Sequence, residues 1–139
     1  MSTDLPEYYF RVRENGAMVF RVDTSNRMRR IEMEQIAVAN VKNGEIKPHG
    51  GRDLTDADRL AIETWLSERR AQLAAREVDD ILRTVDRLNL TTVWAQQRAT
   101  ADELEQVSDA LLLAMHDLRS VLVRKKSDLL QTKPVKAAE

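Results

Sequence analysis

The chain has 139 residues, which is the size of a single ordinary domain. Its 22 Lys and Arg residues are balanced by 23 Asp and Glu residues, so bulk positive charge cannot hold it on nucleic acid or anionic lipid. It has no Cys and two His, which excludes disulfides, thiolate catalysis, zinc or iron–sulfur sites built on Cys, and His-rich metal sites. We therefore expect no metal and no cofactor.

No segment of the sequence is suited to a membrane. The longest uninterrupted apolar run, Ala110–Met115, is far shorter than the ~20 residues that a spanning helix needs. Residues 1–6 contain neither a basic nor an apolar stretch of the kind that begins a secretory signal. We expect a soluble, cytoplasmic protein.

Glycine and proline divide the chain into two parts of different secondary structure. Three of the four glycines lie within residues 44–51, whereas residues 52–133 contain neither Gly nor Pro and are suited to helix. The net charge changes at the same point, from +2 over residues 1–52 to −3 over residues 53–139. The sequence predicts an α+β fold in one domain, 1–139. A small antiparallel sheet of three to four strands over 7–50 precedes a covering helix and a long antiparallel helical hairpin over 55–130, and 131–139 form a disordered tail.

Alternating residues predict a first β-hairpin, for which we compare two registers. A two-residue Asn15-Gly16 turn sets Phe10 opposite Arg21 and mixes apolar with charged side chains on each face. A three-residue loop with Gly16 in the left-handed conformation puts six large side chains on one face, and we predict that register. These side chains are Tyr8, Phe10, Val12, Met18, Phe20 and Val22.

A second hairpin is predicted at the Asn-Gly pair of residues 43–44. A two-residue turn there pairs Val41 with Ile46. Between the hairpins the apolar residues change from odd to even positions, which predicts a bulge or break near residues 34–35. A sheet of this size needs a helix laid across its apolar face.

Two capping signals mark the starts of the helices. Thr55 and Asp58 have N-cap spacing, and Thr100 and Glu103 form a capping box. The first helix either continues past Ala74–Glu77 or kinks there. Because that segment contains no helix breaker, we expect continuity.

The last helix carries an apolar stripe. A continuous helix from residue 56 to about 97 measures ~60 Å, longer than the ~40 Å diameter of a compact chain of this length. The helical hairpin therefore presents an apolar flank, which a second hairpin would cover in a four-helix bundle. We expect a homodimer whose surface is formed by Val107, Leu111, Met115, Leu118 and Leu122.

Arginines on the first hairpin and in the segment after it form a candidate binding surface. In the predicted register those of the hairpin point away from the apolar face, next to Tyr9, and such a face suits phosphate contact and base stacking. Acidic residues in the same segment dilute its charge, so a solvated or protein-docking face is favoured. The arginines are Arg11, Arg13, Arg21, Arg27, Arg29 and Arg30.

Three smaller features of the sequence each have both a functional and a structural explanation. The loop His49–Asp53 combines glycines with groups that bind anions or transfer protons, but it matches no phosphate-loop spacing, and a connector is favoured. His116 with acids of the preceding helix lacks the Glu-x-x-His spacing of helical metal sites. Trp65 is expected in the core between sheet and helix, and Trp94 either caps the end of the bundle or anchors a partner.

These features favour a non-enzymatic protein–protein interaction or regulatory module that dimerises through its long helices and binds a protein partner of unknown identity. The first alternative is a nucleic-acid-binding regulator that uses the arginine-rich sheet face. The second alternative is a small enzyme or anion binder that uses the His49–Asp53 loop.

Overall fold

A computed structural model describes residues 5–25 and 30–132. Its contacts divide the chain into two compact units, one ending at Leu82 and the other beginning at Arg83. The first unit holds a four-stranded antiparallel sheet and the N-terminal part of a long helix; the second holds the rest of that helix and a further one. The fold is therefore α+β, as predicted.

The sheet has four strands in the order β1-β2-β3-β4, and each neighbouring pair is antiparallel. A short 3₁₀ turn, His49–Gly51, leads from the last strand towards the first helix. The strands are β1 (Tyr8–Arg13), β2 (Gly16–Asp23), β3 (Glu32–Asn40) and β4 (Ile46–Pro48).

The first hairpin has a tighter register than predicted. Arg13 pairs with Gly16, so the turn consists of Glu14 and Asn15 and Gly16 already belongs to β2. The predicted three-residue loop is therefore wrong. A Cβ on Gly16 would lie 1.9 Å from the carbonyl oxygen of Ala39 in β3. The close approach of two backbones, rather than the turn, requires glycine at this position.

This register changes which side chains share a face. Phe10 pairs with Val19, and both belong to the core that packs against the helix. Phe20 is on the opposite face, together with the other even-numbered residues of β2, so the predicted single apolar face is wrong. Phe20 is nevertheless buried, because the Tyr9 ring and the Arg11 guanidinium lie against its ring at 6.2 Å and 4.5 Å.

β3 contains the predicted irregularity. Its pairing with β2 shifts between Val19 and Phe20, which leaves Ile36 as the extra residue of a bulge. The bulge allows both Ile36 and Ala37 to be fully buried in the core. The change from odd to even apolar positions is thus confirmed as a bulge signal, one residue beyond the predicted position.

The second hairpin has a longer loop than predicted. Ile46 pairs with Ala39, so the predicted pairing with Val41 is wrong. The side-chain oxygen of Asn40 accepts two backbone N–H groups of the following residues, at 2.8 Å and 3.2 Å, and this starts a four-residue loop. The loop ends at Gly44, whose φ of 74° favours glycine.

The two helices are α1 (Asp56–Gln97) and α2 (Ala101–Thr132). α1 is continuous through residues 74–77, as expected. The capping box of α2 forms, since the Thr100 hydroxyl accepts the Glu103 N–H at 3.2 Å and the Glu103 carboxylate accepts the Thr100 N–H at 2.9 Å. α2 extends two residues into the predicted tail, and the rest of that tail lies outside the described residues.

The core of the first unit lies between the sheet and α1. Ile62 and Leu66 of α1 are buried one turn apart against side chains of β2 and β3, including Ile36. Trp65 stacks on Phe10 with 4.9 Å between ring centroids and 1° between ring planes. The prediction that Trp65 packs between sheet and helix is confirmed.

Replacing Gly16 by Ala tests the backbone contact with β3. We expect Gly16→Ala to lower the free energy of unfolding by about 3 kcal/mol, because β2 or β3 must move to admit a methyl group. Gly50→Ala is the control: its φ is 64° but no atom lies within 4 Å of the added carbon, so only about 1 kcal/mol is expected. Urea denaturation measures both, and equal losses would contradict the assignment.

Candidate functional site

Asp58 lies in the first turn of α1 and is 1% exposed. Its carboxylate accepts a hydrogen bond from the Tyr8 hydroxyl at 2.6 Å and two from the Arg21 guanidinium at 2.7 Å and 2.8 Å. It also accepts the Thr55 N–H at 3.0 Å, while the Asp58 N–H donates to the Thr55 hydroxyl at 3.0 Å. The predicted N-cap therefore forms and is also bonded to β1 and β2.

The hydrogen bonds decide the protonation of this cluster. Burial raises the pKa of Asp58, but the bonds from Tyr8, Arg21 and Thr55 outweigh burial and lower the pKa to about 2. Burial, followed by the bond to Asp58, raises the pKa of Tyr8 to about 12. A carboxylate this acidic, with all its partners in place, is poorly suited to general base catalysis near neutral pH. The cluster is suited to anchoring α1 on the sheet.

Sequence reasoning found one part of this cluster and missed the rest. The spacing of Thr55 and Asp58 signalled a helix cap, but nothing in the local pattern linked it to Tyr8 or Arg21. The prediction that Arg21 points away from the apolar face is wrong, because Arg21 pairs with Tyr8 and shares its face of the sheet. The correct hairpin register would have placed those two residues together.

The structure does not bring the six predicted arginines to one surface. Arg11 lies over Phe20, and the Arg13 guanidinium approaches the Met18 sulfur to 3.0 Å, so these two share the sheet face opposite α1. Arg21 is on the other face. Arg30 is exposed after the connection, and Arg27 and Arg29 lie outside the described residues.

A surface depression of about 700 Å³ lies beside Arg21. Four carboxylates line it, from Glu7, Asp23, Glu32 and Glu34. Their negative charge is opposite to the charge that phosphates require. The depression therefore gives no support to the nucleic-acid alternative, which stays a prediction.

The loop His49–Asp53 is an exposed connection in which Gly50 and Gly51 have φ values of 64° and 71°. Arg52 forms a salt bridge with Glu34 of β3. These features fit the connector interpretation. Within the described part of the chain, no three His, Asp or Glu side chains converge as a metal site.

The second unit exposes most of its apolar side chains. Among its described residues, α2 has no buried side chain over its 32 residues. The predicted dimer surface is half-buried at Val107 and then increasingly exposed along the helix. The exposed fractions are 37% for Leu111, 48% for Met115, 50% for Leu118 and 56% for Leu122.

A groove of about 320 Å³ separates the end of α1 from the first half of α2. Trp94 is half-buried in the wall of this groove, and its carbonyl accepts the N–H groups of Arg98 and Ala99, each at 2.9 Å, where α1 ends. The large apolar side chains lining the groove are Leu88, Trp94, Leu104, Val107, Leu111, Leu112 and Met115. Trp94 thus lies where it can contact an apolar ligand or partner.

α1 also carries an exposed apolar stripe beyond its buried turns. None of its side chains after Leu66 is buried within the described structure. The stripe comprises Val78, Ile81, Leu82 and Val85, with exposed fractions of 59%, 64%, 60% and 52%. Within residues 5–25 and 30–132, both long helices therefore have an exposed apolar side.

No family model, curated protein or solved structure matches the chain. Of the helices in the described residues, none has a stretch long and apolar enough to cross a bilayer. The function must therefore be inferred from the structure of the chain itself.

The pKa of Asp58 predicts an acid-dependent loss of stability. Because the folded pKa of about 2 lies below the ordinary value of 3.8, this stabilisation is complete above pH ~4 and is lost as the pH falls towards 2. Asp58→Asn should lower the free energy of unfolding at pH 7 by about 2 kcal/mol and flatten its decline between pH 4 and 2. Denaturant titrations at each pH measure this. Asp56→Asn, exposed in the same turn, is the control, and an unchanged acid slope in Asp58→Asn would contradict the assignment.

Proposed function

We propose that the protein is a non-enzymatic interaction module that dimerises through its long helices and presents the assembled surface to a protein partner. The observation that carries this proposal is the exposure of α2: a 32-residue helix has an apolar stripe but no buried side chain among the residues described.

A long helix with an exposed apolar face is unusual in a monomeric protein. Most of the stability of a helix in a protein comes from packing its apolar face, not from its intrinsic propensity. Burying one Leu or Val side chain contributes about 1.5–3 kcal/mol, and α2 leaves Leu118 and Leu122 at least half exposed. Contiguous exposed apolar surface of this kind marks interaction sites in soluble proteins.

A second copy of the chain is the partner that the composition favours first. The net charge of −1 produces little repulsion between two copies. In a twofold arrangement the apolar flank of one copy packs against the same flank of the other, as helical hairpins do in four-helix bundles. The groove beside Trp94 adds a concave apolar site to that surface.

The titratable groups support binding rather than catalysis. The two groups with the largest pKa shifts are Asp58 and Tyr8, and the Asp58 carboxylate accepts hydrogen bonds from both Tyr8 and Arg21 in a cap that holds α1 on the sheet. The exposed His49 belongs to the connector before α1. These placements leave the helical surface as the best candidate for function.

Charge placed on the α2 stripe tests the proposal. We expect the parent protein to sediment as a dimer and Leu118→Asp to raise the dimer dissociation constant by at least ~100-fold, because a carboxylate would be buried between apolar surfaces. Leu113→Asp is the matched control: Leu113 lies on the opposite side of the same helix and is 69% exposed. Sedimentation velocity measures the mass, and circular dichroism reports helix content. A monomeric parent, or equal effects of the two substitutions, would show the proposal to be wrong.

A further inference from the structure

The charges of α2 are segregated along its length. Residues 101–117 contain five acidic residues and no Lys or Arg, whereas residues 118–132 contain four basic residues and one acidic residue. The acidic residues of the first half are Asp102, Glu103, Glu105, Asp109 and Asp117; the basic residues of the second half are Arg119, Arg124, Lys125 and Lys126. α2 therefore has an acidic half and a basic half.

The helix dipole explains the charges at the two ends of α2. Acidic residues near the N-terminus and basic residues near the C-terminus are favourable within the first and last turns, and the effect falls off beyond them. Asp109, Asp117 and Arg119 lie two or more turns from either end of α2. The dipole alone therefore does not account for the segregation in the middle of the helix.

We propose that two copies of the chain pair through their α2 helices in antiparallel orientation, with the acidic half of each on the basic half of the other. This inference rests on the proposed dimerisation and specifies its geometry. In a parallel pair, acidic residues would face acidic residues and basic would face basic, which is unfavourable. A twofold axis perpendicular to the helices brings opposite charges together on both sides of the interface.

The apolar residues of α2 fit one antiparallel register. In the middle of the stripe, from Leu111 to Leu122, large side chains recur at spacings of four, three and four, which is the pattern of a helix pair that packs knobs into holes. A twofold axis between residues 116 and 117 places Met115 opposite Leu118 of the second copy. The same axis places Leu111 opposite Leu122, and Leu104 opposite Leu129.

The same register brings opposite charges into contact at the edge of the stripe. Glu105 and Lys126 lie on the same flank of α2 at 100° per residue, and antiparallel pairing sets each beside the other in the second copy. Symmetry produces this pair twice. The apolar contacts fit this register, and the charge pairs select the antiparallel orientation.

The occupant of the groove follows from this register. The groove lies along the acidic half of α2, between Leu104 and Met115, and Trp94 of α1 forms part of its other side. Antiparallel pairing lays the basic half of the second copy along this segment. The side chains of Leu118 and Leu122 from the second copy are then the apolar groups that enter the groove.

Single-cysteine variants test the orientation. The natural chain has no Cys, so Glu105→Cys and Lys126→Cys each introduce one reactive thiol. A bismaleimide with a reach of about 10 Å spans neighbouring helices. In the antiparallel pair residue 105 lies beside residue 126 of the second copy, while the two copies of residue 105 are about 35 Å apart along the helices. We expect covalent dimers when the two variants are mixed and exchange subunits, but not from either variant alone.

Each other outcome overturns a defined part of the argument. Cross-linking of each variant with itself would establish parallel pairing and overturn the inference while leaving the proposed dimer intact. A dimer in sedimentation with no cross-link in any sample would place the interface on another surface and also overturn the inference. A monomeric parent protein would overturn the proposed function itself.

A charge exchange provides a second readout that does not depend on cross-linking. Glu105→Lys and Lys126→Glu should each raise the dimer dissociation constant by roughly 2- to 30-fold, because two interfacial pairs become repulsive. The double variant restores opposite charges across an antiparallel interface, so we expect its dissociation constant to return to near that of the parent. Additive losses in the double variant would contradict the register.

Discussion

The bonds of Asp58 fix where α1 begins and which side of it faces the sheet. The carboxylate is bonded to Tyr8 of β1, Arg21 of β2 and the N-cap Thr55 at once. Ile62 and Leu66 follow at intervals of four residues, so the side of the helix that carries Asp58 is the side that enters the core. Because α1 is continuous, this choice at residue 58 also sets the direction in which the following side chains of the first unit, up to Leu82, point from the helix axis.

The features that the sequence predicted correctly are those set by neighbouring residues. Both helix caps depend on side chains three residues apart, and the continuity of α1 depends on the lack of Gly and Pro over a single segment. The bulge at Ile36 could be predicted from the sequence, because the apolar residues change from odd to even positions within a single strand. Trp65 lies on the same apolar side of α1 as Ile62 and Leu66, which the helical spacing of these residues indicates.

The features that the sequence did not predict depend on residues far apart in the chain. Gly16 was interpreted as a turn residue, but Ala39 in another strand is what excludes a side chain there. The error moved the predicted register by one residue. It therefore assigned both Met18 and Phe20 to the face of the sheet that packs against α1, whereas both lie on the opposite face. It also hid the contact between Arg21 and Asp58, 37 residues apart, since an arginine on the outer face is indistinguishable by pattern from one on the inner face.

The apolar and the charged groups of α2 make different contributions to the proposed dimer, and the dimer needs both. An apolar stripe supplies affinity but little orientation, because Leu and Met side chains pack against one another in either helix direction. Segregated charges contribute little to affinity when they are exposed, but they penalise the wrong orientation and so select one geometry. The sheet unit differs, because its apolar side chains are buried in a core of its own against α1, which Asp58 anchors to the sheet. In α2, where no described side chain is buried, folding and pairing would be coupled, so the stability of that helix would depend on protein concentration.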